Sequence, residues 1–557
     1  MLFLILIIAA FFRLYNIQSV PPGLYPDEAM NGNNALEALS TGQFKIFYPE
    51  NNGREGLFIN IQAISVLIFG NVSWALRLVS SLFGIATVLG MYFLVRELFL
   101  PPNGSHQYEE LEHHIKRHER IALLASFLLA TSFWHVNFSR IGFRAISSPF
   151  YAIWGVFFTL LAIRKLKEFK ARQAAASAPI AFGAPSVFAV PKEKTHWHLN
   201  TDTILATLAG GFIFGLGINS YIAYRIMPVL IVCMFLYWFA WFKSFRKELL
   251  RVCVLFIGAA LLGALPLLWH FAFNPHDFFG RTSQVSVFAA AHPMADLVVN
   301  VVKTIGMFNI QGDGNWRHNL ADRPELFWPA GVMFIIGILA AIKVSMRFLI
   351  GLFKRTAFQE QPAESTVGTT LEDAHPLALL IPMVWFLITL LPVVISDEGI
   401  PHALRSILLI PPVFIFAGAG GIWLADKIGN AIKGDDKSAI RVGICRTLIV
   451  FMLALMVGEA YNTYFYTWAR NPNVFGAFTQ SYVDLGNEIN ALPQDEPKYI
   501  IVKAGGTPVR GIPMPTQTVM FITDSFTPIK QQEKNIHYIL PGHESDIPPG
   551  AYTATIE

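Results

Sequence analysis

The feature that most constrains this chain is a series of eleven apolar runs. Each is close to the length that crosses a bilayer, where a helix needs roughly 20 apolar residues. They fall at 2–18, 75–98, 120–137, 147–165, 203–222, 226–242, 252–272, 327–346, 376–396, 405–424 and 446–466. The sequence is 54% hydrophobic and only 14% charged, where a soluble domain carries about 25% charged residues. A larger soluble core would not remove charge from its surface, so a soluble helical protein is set aside. The expected fold is an all-α polytopic membrane protein over 1–466, followed by a small extramembrane α/β domain over 467–557. The opening MLFLILIIAAFF has no basic leader and no small-residue cleavage site. It reads as the first membrane helix.

Loop charge sets the orientation. Twenty-four Lys and Arg lie in one set of alternating loops (96–120, 164–194, 243–251, 343–355, 427–446) and eleven in the other. Positive loops stay cytoplasmic, so RKLKEFKAR (164–172) and KSFRKELLR (243–251) anchor the cytoplasmic side. The stretch 57–70 is apolar but short and is expected to lie at the interface; counted as a span, it would split these anchors across the membrane. The linkers 171–194 and 356–374 read as flexible cytoplasmic connections. After 466 the composition changes. A helix is expected at 479–492, with strands at 498–503, 518–523 and 535–540. The expected location is the plasma membrane, with the active site and the C-terminal domain on the exoplasmic face.

A net charge of +4 is too small for a nucleic-acid binder. Cys233, Cys253 and Cys445 sit in apolar runs without metal-ligand spacing, which implies neither disulfides nor a zinc finger. No Ser-His-Asp elbow, Walker loop or dinucleotide fingerprint is present. No metal or other cofactor is called for. Asp27, Glu28, Asp313 and Asp397 offer oxygen ligands, but sequence does not show whether they meet.

The chemistry concentrates in the expected outer loops. PPGLYPDEAMNGNNALEALSTGQF (21–44) follows the first span and carries Asp27 and Glu28 after a Pro-rich turn. Acids there cap a helix and complement its dipole, or one takes a proton from an acceptor; both readings stand. FYPENNGREGLF (47–58) carries Arg54 and Glu55. Arg54 suits a phosphate, since a guanidinium bonds two oxygens, or it snorkels to headgroups. The theme repeats in His135, Arg140 and Arg144, in Tyr221 and Arg225, in Arg281, in Asp313, Trp316, Arg317 and His318, and in Asp397, Glu398, His402 and Arg405. These loops need no cations for orientation, so a shared anionic ligand is the reading. Arg13 fits it too, or forms a structural ion pair.

Taken together, the first helix, Asp-Glu in a Pro-containing loop, the G-R-E-G-L segment and LRLVSSLFGIATVLGMYFLVRELF resemble glycosyltransferase family 39. This group contains protein O-mannosyltransferases and lipid A aminoarabinose transferases, of the multi-pass GT-C fold. The likeness extends through WHVNFSRIGFRA and PHALRSILLIPP, over roughly 1–425. It implies an inverting transferase moving a mannose- or aminoarabinose-type sugar from a polyprenyl-phosphate carrier to a lipid, glycan or protein. Asp27 is then the catalytic base and Glu28 its partner. Arg54, Arg140, Arg225, His402 and Arg405 are expected at the donor phosphate, and Glu55, His135, Arg144 and Tyr221 at the acceptor or sugar. At the interfacial helix Arg54 stands where the aminoarabinose transferases have a Lys, and Arg144 occupies a region where related sequences often have an acid. The alternative is a flippase or transporter of a lipid-linked glycan. Ionisable residues at one face and the lack of an internal repeat count against it. A third reading is an oligosaccharyltransferase-like enzyme using a pyrophosphate carrier, which would need a metal.

Overall fold

The computed structural model describes residues 1–100, 108–177, 199–279, 292–354, 376–396, 399–432 and 439–557. Of the expected linker 171–194, residues 171–177 instead continue the helix Ser147–Ser177, while 178–194 and 356–374, together with Arg281, Asp397 and Glu398, lie outside these. Among the described residues nine helices are long and apolar enough to cross a membrane, from Ser73–Leu98 to Arg446–Trp468. The first helix, α1 (Leu2–Leu14), is shorter.

α2 (Pro26–Thr41) follows the first loop. α3 (Gly56–Phe69) has 14 residues, too few for a full crossing, as the short run at 57–70 suggested. It leads into α4 (Ser73–Leu98). The expected span 120–137 is not one helix. α5 (Tyr108–Thr131) stops and α6 (Phe133–Phe138) restarts, because Ser132 caps the new turn by accepting from the His135 amide. A Ser hydroxyl competes for backbone donors and so favours a cap over a helix interior.

The later spans pack closely through small residues. Gly337 and Gly420 lie where helices Trp328–Phe353 and Ile410–Ile432 cross, and a Cβ at either would collide with a backbone carbonyl of the other helix. The window in Ile407–Ala431 is the most buried of the nine, whereas Trp328–Phe353 and Arg446–Trp468 present most of theirs outward.

The C-terminal segment forms a parallel three-stranded sheet with Lys498–Val502 in the middle, flanked by Ile536–Ile539 and Tyr552–Ile556. The expected helix near 479–492 is present as Gln480–Ala491. The expected strand at 518–523 is instead helix Gln517–Thr523. Parallel neighbours need a crossover, and this helix with Pro528–Lys534 supplies it. Thr518, Val519, Met520 and Phe521 are all buried, so neither periodicity was available to read.

This segment docks on α2. Phe521 covers Gly32, where a Cβ would collide with the ring. Asn33 Nδ2 donates to the Gln517 carbonyl and side-chain oxygens, each at 3.0 Å. Arg510 forks onto both Glu37 oxygens at 2.9 and 2.8 Å and reaches Glu50 at 3.0 Å.

Candidate active site

Tyr25 caps α2 and Pro26 fills its first position, with Glu28 returning to the Tyr25 amide at 3.4 Å. Proline at this position loses no hydrogen bond. Glu28 faces inward and is fully buried. Its Oε2 takes Arg77 Nε at 3.1 Å and the Gly142 amide at 2.7 Å. Arg77 also donates to the Pro21 and Gly23 carbonyls at 2.6 and 2.7 Å. Glu28 therefore ties the loop after α1 to α4 and to the 139–143 loop. Both of its oxygens accept hydrogen bonds within the protein.

Asp27, one residue earlier, is half-buried and lines a cavity of about 80 Å³ with Asn31, Asn51, Arg54, Phe143, Arg144 and Tyr221. Asn51 Nδ2 donates to its Oδ1 at 2.5 Å. Asn51 is held by a tight hairpin in which Phe47–Tyr48 pairs with Arg54–Glu55. Asn51, Asn52 and Gly53 all have positive φ, at 53°, 62° and 83°. Asn and Gly tolerate that region best, so Asn-Asn-Gly permits the turn that carries Asn51 to Asp27.

The same hairpin buries Arg54. Its Nη1 and Nη2 donate to Asn31 and Asn34 side-chain oxygens at 2.7 and 2.5 Å. Among the described residues no carboxylate lies within 4 Å of it. Burial, then the neighbouring Arg144 charge, pull its pKa down to about 10. Asp27 and Glu50 act in the opposite sense, raising it.

Glu55 is not open to ligand. Arg144 Nε lies 2.8 Å from its Oε2 and Arg225 Nη2 3.4 Å from its Oε1. Burial raises its pKa, but Arg144 and Arg225 more than offset this and hold it below the ordinary carboxylate value. Arg225 also donates to the Phe278 carbonyl at 2.7 Å and stacks on Phe271 and Phe278. It buttresses Glu55 and does not line the cavity. Arg144 and Tyr221 do line it.

Three expected cations belong elsewhere. Arg140 donates to the Phe12 and Val20 carbonyls at 3.0 and 2.7 Å. Arg13 donates to Ala9 and Ala130 carbonyls at 3.1 Å and meets His135 Nδ1 at 2.6 Å. All three are fully buried. The two arginines satisfy carbonyls near the ends of α1 and α5, His135 meets Arg13, and among the described residues no acid pairs with Arg13; none of the three lines the Asp27 cavity.

A second cavity, of about 830 Å³, is lined by His402 and Arg405, with Lys303, Asp313, Arg317 and His318. Arg405 donates to the Ser396 hydroxyl. The Arg317 guanidinium stacks 3.9 Å from the centre of the Tyr25 ring, two residues before Asp27. Leu404 lines the Asp27 cavity while its neighbour Arg405 lines the larger one. Asp313, His318 and His402 each present one possible metal-ligand atom, all within 4.8 Å of one another. Burial, then the His318 and Arg405 charges, hold His402 well below the ordinary imidazole pKa.

No protein-family model matches the sequence, and no characterised relative matches it. Two solved structures superpose over nearly the whole chain. One is ArnT from Cupriavidus metallidurans in the apo state, with 12% identity, 93% of this chain and 84% of that chain covered, and a TM-score of 0.51. The other is the archaeal oligosaccharyltransferase AglB from Archaeoglobus fulgidus in complex with an inhibitory peptide and a dolichol-phosphate, with 15% identity and a TM-score of 0.50. That match covers 94% of this chain and 63% of AglB. The chain has the GT-C glycosyltransferase fold.

Within this GT-C frame, sequence reasoning missed several partners. Asn31 and Asn34 hold Arg54, Asn51 holds Asp27, Arg77 holds Glu28, and Lys303 lines the larger cavity. The i, i+3 spacing of Asn31 and Asn34 was the one available signal.

Proposed function

We propose that this chain transfers a sugar from a polyprenyl-phosphate carrier to an acceptor hydroxyl, with Asp27 as general base. The observation that carries the reading is the pairing of a half-buried carboxylate with cations in its own cavity and in a neighbouring one. Arg54 and Arg144 share its cavity, and Lys303, Arg317 and Arg405 line the next. Exposed Val302 and Ile310 stand on the rim of the larger cavity, an apolar lip suited to a lipid chain entering from the bilayer. AglB, of the same fold, is known with a dolichol-phosphate.

In this mechanism the donor phosphate sits among Lys303, Arg317 and Arg405, with its sugar directed towards Asp27. Asp27 removes the acceptor proton as the hydroxyl oxygen bonds to the anomeric carbon. The bond from that carbon to the phosphate oxygen breaks, and the electron pair leaves with the phosphate. The cations stabilise the charge growing there. Attack opposite the leaving group inverts the anomeric centre. The loop-charge bias supports an outer-face site.

The test is incubation of the purified chain with radiolabelled polyprenyl-phosphate sugars and extracts of cell-envelope lipids, glycans and proteins. Label moving from the lipid to an acceptor supports the reading. Label remaining on the lipid, or crossing vesicles unchanged, supports the flippase alternative.

A further inference from the structure

We propose that Asp313, His318 and His402 form a divalent-metal site, of a chemistry suited to Zn²⁺, in the wall of the larger cavity. Each supplies one ligand atom, and the three atoms lie within 4.8 Å of one another. Two imidazoles and one carboxylate are a common donor set for zinc with an open position, and also suit other first-row dications. Ligand atoms about 2.0–2.2 Å from a zinc ion stand roughly 3.4 Å apart, so the widest of the three separations must close by about an ångström while the His318–Asp313 pair opens slightly.

The three side chains are already neighbours. His318 Nδ1 stands 2.9 Å from Asp313 Oδ2, and His402 Nδ1 stands 3.8 Å from the same oxygen. The two rings face each other with centroids 4.8 Å apart and planes 31° apart. The backbone fixes the carboxylate: Ala403 N donates to Oδ2 at 2.8 Å and Asn315 N to Oδ1 at 2.7 Å. Glu325 accepts from the Asp313 amide at 3.2 Å. Such outer contacts preset a ligand's direction. Asp313 and His318 are buried, while His402 keeps a partly exposed edge on the cavity. A bound ion therefore has protein on one side and open space on the other.

Charge says what fills that space. One carboxylate does not neutralise a dication, and Lys303, Arg317 and Arg405 add positive charge. An anionic oxygen is the complementary fourth ligand. On the donor reading proposed above, that oxygen belongs to the carrier phosphate; the ion site itself does not depend on that reading.

The experiment uses the full-length chain in detergent, stripped with a chelator and returned to phosphate-free buffer. Co²⁺ is titrated and followed by its visible d–d absorption, and Zn²⁺ by calorimetry. The expected result is one equivalent of either metal, Zn²⁺ displacing Co²⁺, and at least about tenfold weaker binding in His402→Gln and in His318→Gln. No saturable binding by the wild-type chain overturns the site, as does unchanged affinity in both variants. Because the absorption is read on the wild-type protein, poor folding of a variant does not rescue a failed site. Inorganic phosphate and a short-chain prenyl phosphate are then added separately. Tighter Zn²⁺ binding with the prenyl phosphate alone assigns the fourth position to a lipid carrier, and tightening with both assigns it to any phosphate. Zn²⁺ binding indifferent to both leaves the metal site standing and counts against the donor reading of the cavity.

Discussion

Asn51 holds Asp27: its side-chain amide lies 2.5 Å from the Asp27 carboxylate, across a hairpin turn built from three residues with positive φ. A hydrogen bond to a charged group contributes about 1.5–3 kcal/mol. Asn51→Ala is therefore expected to lower kcat for transfer roughly 10- to 100-fold, with donor affinity little changed. Steady-state kinetics over a range of donor concentrations separate the two.

Arg54 and Glu55 are neighbours with opposite expected behaviour. Arg54 is held by neutral amides and is in no ion pair within 4 Å among the described residues, so Arg54→Ala breaks no direct ion pair. It should cut kcat at least about tenfold with nearly unchanged melting temperature. Glu55→Gln strands Arg144 and Arg225, at a cost of about 3–5 kcal/mol. The Glu55 pKa is held below its unfolded value. Its contribution is thus complete above about pH 4.5 and is lost as pH falls through the folded value. The melting difference between wild type and Glu55→Gln should shrink on acidification below pH 4.5. A constant difference contradicts the ion-pair account.

The C-terminal segment is expected to act through α2. Phe521 packs on Gly32, one turn beyond the Asp27–Glu28 pair. Removing a buried Phe side chain costs about 3–5 kcal/mol, felt at this docking surface. Phe521→Ala should leave the protein in the membrane, speed hydrogen exchange in Pro26–Thr41 and lower transfer. Unchanged exchange there would show that the segment rides on α2 without holding it.

The membrane layout was legible because bilayer thickness imposes a length on every span. Asp27 and Arg54, which line one cavity, stood out in the sequence because charge is rare in such a chain. The roles of Glu28, His135 and Arg140 were not legible. Each meets groups far away in the chain: Arg77, Arg13, and the Phe12 and Val20 carbonyls. A buried Arg that caps carbonyls and one that awaits an anion look alike in one dimension. Helix Gln517–Thr523 was misread because it is buried on every side, which erases the periodicity that separates helix from strand.

Orientation is testable independently of chemistry. In a background lacking Cys233, Cys253 and Cys445, Ser244→Cys and Ser545→Cys both place a thiol at an exposed position. An impermeant thiol reagent on intact cells should label Ser545→Cys and not Ser244→Cys. The reverse pattern inverts the protein and moves the site to the cytoplasmic face.

The most direct test of the account is single-turnover transfer by Asp27→Asn, with donor binding measured separately. The amide keeps the size of the carboxylate but does not accept the acceptor's proton. A positioned base contributes on the order of 10²–10⁴ in rate. The account predicts a loss of that size, with donor binding and membrane insertion intact. Transfer at the wild-type rate would contradict it and place the base elsewhere, with Asp313 the next residue to replace.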